Sequence, residues 1–134
     1  MASIVRDLSP AEIFDLWPQI EPLLTPLLAE DGNYVASDIL RDHLAGKKKV
    51  WASLAHGKIE AVMVTEIHDY PRKRVCFVPW IAGTNLDNWA EKFIAASEAY
   101  ARGMGCARMC GLNRDGWVRV AAYRKVGSLL YKDL

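Results

Sequence analysis

The stretch from Arg74 to Tyr123 constrains the fold more than any other. Val75-Cys76-Phe77-Val78-Pro79-Trp80-Ile81 is an apolar run of strand length, Gly83-Thr84-Asn85 turns it, and Leu86 to Met104 carries apolar residues at helical spacing. Gly105 stops that helix. A second apolar run, Ala107 to Leu112, leads through Asn113-Arg114-Asp115-Gly116 into a short last helix that ends near Tyr123. A strand, a crossover helix and a second strand require a sheet with helices packed on it.

The segments before it supply the rest of that sheet. Ser3 to Leu8 reads as an opening strand. Ser9-Pro10-Ala11-Glu12 announces a helix, with Ser9 as cap, Pro10 in the first turn and Glu12 reaching back. Its apolar face is Ile13, Leu16, Trp17 and Ile20, and it runs to about Leu28. Pro18, Pro22 and Pro26 each remove a helix donor, so a kinked or split element is expected. After a turn cluster at Ala29 to Tyr34, Ser37 caps a second helix that Gly46 ends. Val50–Ala55 and Ile59–Ile67 flank His56-Gly57 as a hairpin, and Asp69 to Lys73 turns back to Arg74. Only Ser128 to Leu134 follow Gly127, enough for one more strand. The order is β-α-α-β-β-β-α-β-α-β in a single domain over residues 1–134.

Size and charge narrow the function classes. A chain of 134 residues, 51% apolar, builds one core. With 17 basic against 16 acidic residues there is no electrostatic case for nucleic acid or an anionic membrane as a partner. Lys47-Lys48-Lys49 is either a solvated loop or a phosphate-facing patch. The three cysteines read as reduced thiols, since Cys106 and Cys110 lie too close along one strand for an easy bridge. No metal site is expected: there is no Cys-x-x-Cys, and His43, His56 and His68 fall in separate elements. The start has no secretory pattern and no apolar run is of spanning length, so a soluble, cytoplasmic protein is expected. No G-x-S-x-G is present for a hydrolase.

Ala121-x-Tyr123-x-Lys125-x-Gly127, closing a short helix after a strand, resembles the C-terminal signature of the GNAT superfamily, the GCN5-related N-acetyltransferases. That signature is usually written A-x-x-x-Y-x-K-x-G-F; Ser128 stands in place of its Phe. More narrowly, the chain resembles the small GNAT-like proteins of tailed-phage genomes, which would place it in the host cytoplasm or in association with the virion. The resemblance implies an α/β (α+β) fold: a mixed, mostly antiparallel central sheet of about six strands with helices on both faces. The activity implied is transfer of an acetyl group from acetyl-CoA to an amine, on a small molecule or a protein. GNAT chains usually end in two more strands; here there is room for one, and the sheet edge left over points to a homodimer.

The resemblance also implies site residues. In GNAT folds the fourth strand is bulged and splays from the fifth, and the pantetheine arm bonds to the exposed backbone; Pro79 fits such a bulge or a frayed strand end. The cofactor would then lie along Val78, Trp80 and Ile81, with its diphosphate at Gly83, Thr84 and Asn85. The family's loop there, Q/R-x-x-G-x-G/A, is absent, Asp87 would repel a phosphate, and Thr84 or Asn85 can cap the helix instead. Asn113 either contacts the pantetheine or begins a turn. Tyr123 is the implied acid for the departing thiolate, or else a ring packed under the last helix. With no carboxylate on the fourth strand, Glu66 acting through water, with Asp69 behind it, is the candidate base; its other reading is a solvent-facing strand residue. Trp80 and Trp117 flank the slot or pack in the core, and Tyr34, Asp38 and His43 lie near the group to be acylated. The competing function is a GNAT-shaped module that has lost catalysis and binds a protein partner.

Overall fold

The computed structural model describes residues 3–112 and 123–134. Its elements are β1 (Ile4–Asp7), α1 (Pro10–Leu28), α2 (Ala36–Leu44), β2 (Lys49–Ala55), β3 (Lys58–Asp69), β4 (Arg74–Gly83), α3 (Leu86–Gly103) and β5 (Arg108–Gly111). The strands form one sheet in the order β1-β2-β3-β4-β5. The first three pairings are antiparallel, and β4 and β5 run parallel across the α3 crossover. The expected mixed α+β sheet is therefore present, with five strands among the described residues. The strand expected at Ser128–Leu134 is absent: that segment is exposed and carries no ladder. The last short helix lies outside the described residues, apart from Tyr123, which is non-helical.

Period-two alternation divides the core into two layers. Val50, Ala52, Val62 and Val64 face α1 and α2, meeting Ile13, Ile20, Leu24, Leu28 and Ile39. Trp51, Ala61, Met63 and Val78 face α3, meeting Trp89, Ala90 and Phe93. Each face alone would leave an apolar stripe in water, so both are covered.

Helix α1 corrects one expectation. It runs unbroken through 19 residues despite Pro18, Pro22 and Pro26. All three prolines are exposed, opposite the buried face of Ile13, Ile20, Leu24 and Leu28. The carbonyls that lose a partner point to water, and core packing holds the rest. Its start is as expected, with Ser9 Oγ accepting from the Glu12 N–H and Glu12 accepting from the Ser9 N–H. The cap of α2 is displaced by two residues: Val35 is the N-cap, and Asp38 accepts its N–H at 3.0 Å, so Ser37 lies inside the first turn. In the hairpin, His56 and Gly57 have φ of 54° and 74°, the two left-handed residues of a tight turn that matches strand twist.

Candidate functional site

Strand β4 carries an irregularity where the apolar run contains its proline. Val64 pairs with Trp80 and Glu66 with Phe77, so Thr65 alone faces both Val78 and Pro79. This is a β-bulge. Proline suits the extra position because it has no N–H to orphan in a buried setting. The bulge shifts the alternation: Val78 packs on the α3 face, whereas Trp80, two residues on, packs on the α1 face.

Two consequences follow from that one residue. First, the parallel ladder with β5 ends at Val78–Gly111, so β4 continues from Pro79 to Gly83 with β3 on one side and no described strand on the other. Thr84 N–H donates to the Glu60 carbonyl at 3.0 Å. Alternation then turns the backbone groups of Trp80 and Ala82 toward β3, and those of Ile81 and Gly83 into the gap. Gly83 is required for close approach: an added Cβ would lie 2.6 Å from the Glu60 carbonyl oxygen and 2.5 Å from Ala61 Cβ. Second, the Trp80 ring leaves the gap and meets Tyr34 edge-on at 5.3 Å.

The gap leads to the start of α3. Asn85 is its N-cap, with φ 57° and ψ 53°, and its side chain makes no capping bond. This corrects the expectation that Asn85 would satisfy the helix start. Gly83 through Asn88 are exposed. Thr84 instead gives its carbonyl to the Trp89 indole N–H at 2.5 Å. Asp87, in the first turn, remains beside this end.

On the opposite face of β4 a group of polar and aromatic side chains comes together. Lys48, only 6% exposed, donates to Glu66 at 3.1 Å, lies 3.4 Å from Asp42 and sits 5.0 Å above the Tyr34 ring. Burial alone would lower the Lys48 pKa, but the hydrogen bond and charge of Glu66, with Tyr34 and Asp42, together hold it above its ordinary value. Glu66 also has His68 Nε2 at 3.5 Å from the same carboxylate oxygen. The His68 ring lies 5.0 Å from Phe77, and its Nδ1 is 3.4 Å from the Tyr70 hydroxyl. Glu66 is thus the hub of an ion-paired cluster. Sequence reasoning missed Lys48 and His68; the period-two spacing of Glu66 and His68 on β3 was the available signal.

The other sequence candidates are placed as follows. His43 is held at both ring nitrogens: Nδ1 accepts from Val50 N–H at 3.0 Å, so Nε2 donates to the Leu8 carbonyl at 2.9 Å. It joins α2 to the sheet and borders a cleft of about 790 Å3 at the ends of β1 and β2, which Lys48 and Glu66 also line. Asp38 is engaged at the cap of α2 and, at 3.4 Å, with Arg41. Asp69 is bound by Arg74 at 2.6 Å. In the lysine run, Lys49 pairs with Asp7 and covers Trp51 and Tyr100, so neither it nor Lys48 is a solvated loop residue. Tyr123 is half-buried; burial first, then the charges of Cys76, Glu98 and Cys110, push its phenol up to about 12. Asn113 and Trp117 lie outside the described residues. Among the described residues no group of three His, Cys, Asp or Glu could hold a metal, and no helix is long and apolar enough to cross a membrane.

No family model matches the sequence, and no curated protein does. Solved structures do match the fold. A GNAT family acetyltransferase of Staphylococcus aureus aligns over 100% of both chains with a TM-score of 0.72 at 14% identity. An aminoglycoside acetyltransferase from an uncultured soil metagenomic sample aligns over 98% of this chain and 96% of its own, with a TM-score of 0.75 at 12% identity. Glucosamine-6-phosphate N-acetyltransferase of Arabidopsis thaliana covers 99% of each chain, with a TM-score of 0.73 at 12% identity. At this identity the likeness establishes the architecture, which is that of the GNAT proteins.

Proposed function

From the GNAT fold we propose that this protein is an N-acyltransferase that moves an acetyl group from acetyl-CoA to an amine carried by a small molecule or a protein. The observation that carries the reading is the bulge at Val78–Pro79. Among the described residues the β4–β5 ladder stops there, and the backbone of Ile81 and Gly83 faces no described strand, beside a helix start with no side-chain cap. A pantetheine arm is a chain of amides and needs such backbone partners; a diphosphate needs N–H groups with a positive helix end. The backbone groups of Trp80 are turned to β3 and its ring is on the other face, so Trp80 shapes this site through the bulge and not by its own hydrogen bonds. Thr84 is engaged at both ends, its N–H by the Glu60 carbonyl and its carbonyl by the Trp89 indole, which leaves the diphosphate the exposed helix start from Asn85 onward. Asp87 opposes it, so the affinity is weaker than a glycine-rich basic loop would give.

In this reading the amine attacks the thioester carbon, the C–S bond breaks, and Tyr123 donates to the departing sulfur. A phenol raised to about 12 is fully protonated at neutral pH, which suits a donor. Tyr123→Phe is expected to lower turnover at least tenfold without loss of folding; unchanged turnover removes Tyr123 from the mechanism. Glu66 contributes from within its ion pair with Lys48.

A second reading, a catalytically silent module that binds a protein partner, is favoured by the apolar side chains displayed after Tyr123. Val126 and Leu130 are 87% and 86% exposed, with Leu129, Tyr131 and Leu134 beside them. Calorimetric titration with acetyl-CoA, and with desulfo-CoA as control, separates the two. Micromolar binding supports the transferase; no heat at millimolar ligand supports the module.

A further inference from the structure

The geometry points to His68 as the group that removes the proton from the attacking nucleophile, with Glu66 as the residue that positions it. This rests on the transferase reading above. Trp80, Tyr34, Lys48, Glu66, His68 and Phe77 follow one another across the sheet face: Trp80 to Tyr34 at 5.3 Å, Tyr34 to Lys48 at 5.0 Å, Lys48 to Glu66 at 3.1 Å, Glu66 to His68 at 3.5 Å and His68 to Phe77 at 5.0 Å. Phe77 and Trp80 flank the bulge, so the two ends of this circuit stand on either side of the point where the described β4–β5 ladder stops. A reacting carbonyl held in the gap would be approached from this side.

Within the circuit the chemistry selects His68. Glu66 is already engaged by the buried Lys48 ammonium at 3.1 Å. Lys48 is itself cationic and paired. His68 is the remaining member, an imidazole in which one ring nitrogen can carry hydrogen while the other accepts a proton, and its side chain is 33% exposed. Glu66 faces Nε2, and a carboxylate there fixes the tautomer with hydrogen on Nε2. Nδ1 is then the basic atom, and its neighbour in the structure is the exposed Tyr70 hydroxyl at 3.4 Å. An incoming ammonium takes that hydroxyl's place. Nδ1 accepts one proton, the freed nitrogen lone pair forms the new C–N bond, the C–S electron pair leaves with sulfur, which Tyr123 protonates, and the second proton of the nitrogen passes through solvent to the Tyr123 phenolate. The other charged groups around His68 are Asp42 and Lys48 behind Glu66, and the Asp69–Arg74 pair at the end of its strand.

Hydrolysis of acetyl-CoA without an acceptor tests this, because water then takes the place of the amine and must lose a proton to the same base. Acetyl-CoA binding is measured alongside by calorimetry. The wild type is expected to hydrolyse the thioester with a rate that rises with pH through a single inflection. In His68→Gln the rate should fall at least tenfold and the inflection should vanish, with binding unchanged. In Glu66→Ala the His68 ring, followed by nitrogen NMR, should lose its preference for hydrogen on Nε2, a change that a purely structural loss would not produce. Binding intact with an unaltered profile in His68→Gln overturns the role of His68 and leaves the transferase reading standing. Background hydrolysis by a wild type that binds acetyl-CoA overturns it likewise. Failure of the wild type to bind acetyl-CoA removes both.

Discussion

Lys48→Met is the perturbation that examines the polar cluster most directly. The ammonium lies 3.1 Å from Glu66 and 3.4 Å from Asp42, and at an effective dielectric of ~20 Coulomb's law gives about 5 kcal/mol for each contact. Desolvating a side chain that is 6% exposed offsets much of that gain, by several kcal/mol. Methionine fills the space of the stem but removes the cation between two carboxylates, 12% and 19% exposed, leaving Asp42 only the exposed Arg41 guanidinium at 3.7 Å. Removing one partner of a buried pair costs about 3–5 kcal/mol, and the residual solvent at both carboxylates puts this case near ~3. At this chain length that is a fall in melting temperature of about 10 °C. Urea unfolding at pH 7 is the assay, with an unchanged slope showing that the denatured state is not altered. A loss under about 1 kcal/mol refutes the argument that Lys48 is the counter-charge of this cluster.

Other positions give sharper yes-or-no outcomes. Gly83→Ala places a methyl group 2.6 Å from a backbone carbonyl, so β3 and β4 must separate locally; a loss of about 1–3 kcal/mol is expected, and an unchanged urea midpoint counts against the close approach. Ser53 Oγ is buried with no hydrogen-bond partner among the described residues, so Ser53→Ala should be neutral or stabilise by about 1 kcal/mol in the same assay, whereas a clear loss would reveal a partner. Burial lowers the His43 pKa in the folded state, outweighing the Leu8 carbonyl, which raises it. The sign then follows: its stabilising contribution is complete above its unfolded value of 6.5 and is lost as pH falls from there toward the lower folded value. His43→Gln should flatten that part of the stability profile, and an identical profile would show that another group is responsible.

Much of the architecture was legible because its signals are local. Ser9, Pro10 and Glu12 lie within one turn of each other and specify the start of α1 without help from elsewhere. His56-Gly57 likewise defines its hairpin, and the apolar alternation of β2 and β3 assigns their faces. The prolines of α1 misled for the opposite reason. Their local cost is real, but whether it breaks a helix depends on which face they occupy, and only packing of Ile13, Ile20, Leu24 and Leu28 decides that. Ser37 misled similarly, because Asp38 reaches Val35 and begins α2 earlier.

The candidate site divides along the same line. The order of elements and the proline inside the fourth strand are properties of the sequence alone, and that proline fits a bulge or a frayed strand end; Gly83 reads there as a turn residue, and its close approach to β3 exists only in the structure. Which face each side chain then takes is not local. One extra residue in β4 turns Trp80 onto the α1 face, and the partners that make Lys48 a buried cation come from α2, β3 and the segment before α2. Glu66 read as a lone strand carboxylate because Lys48 is 18 positions away in the chain. Charge pairing depends on distance in space, and that distance exists only once the strands are in register.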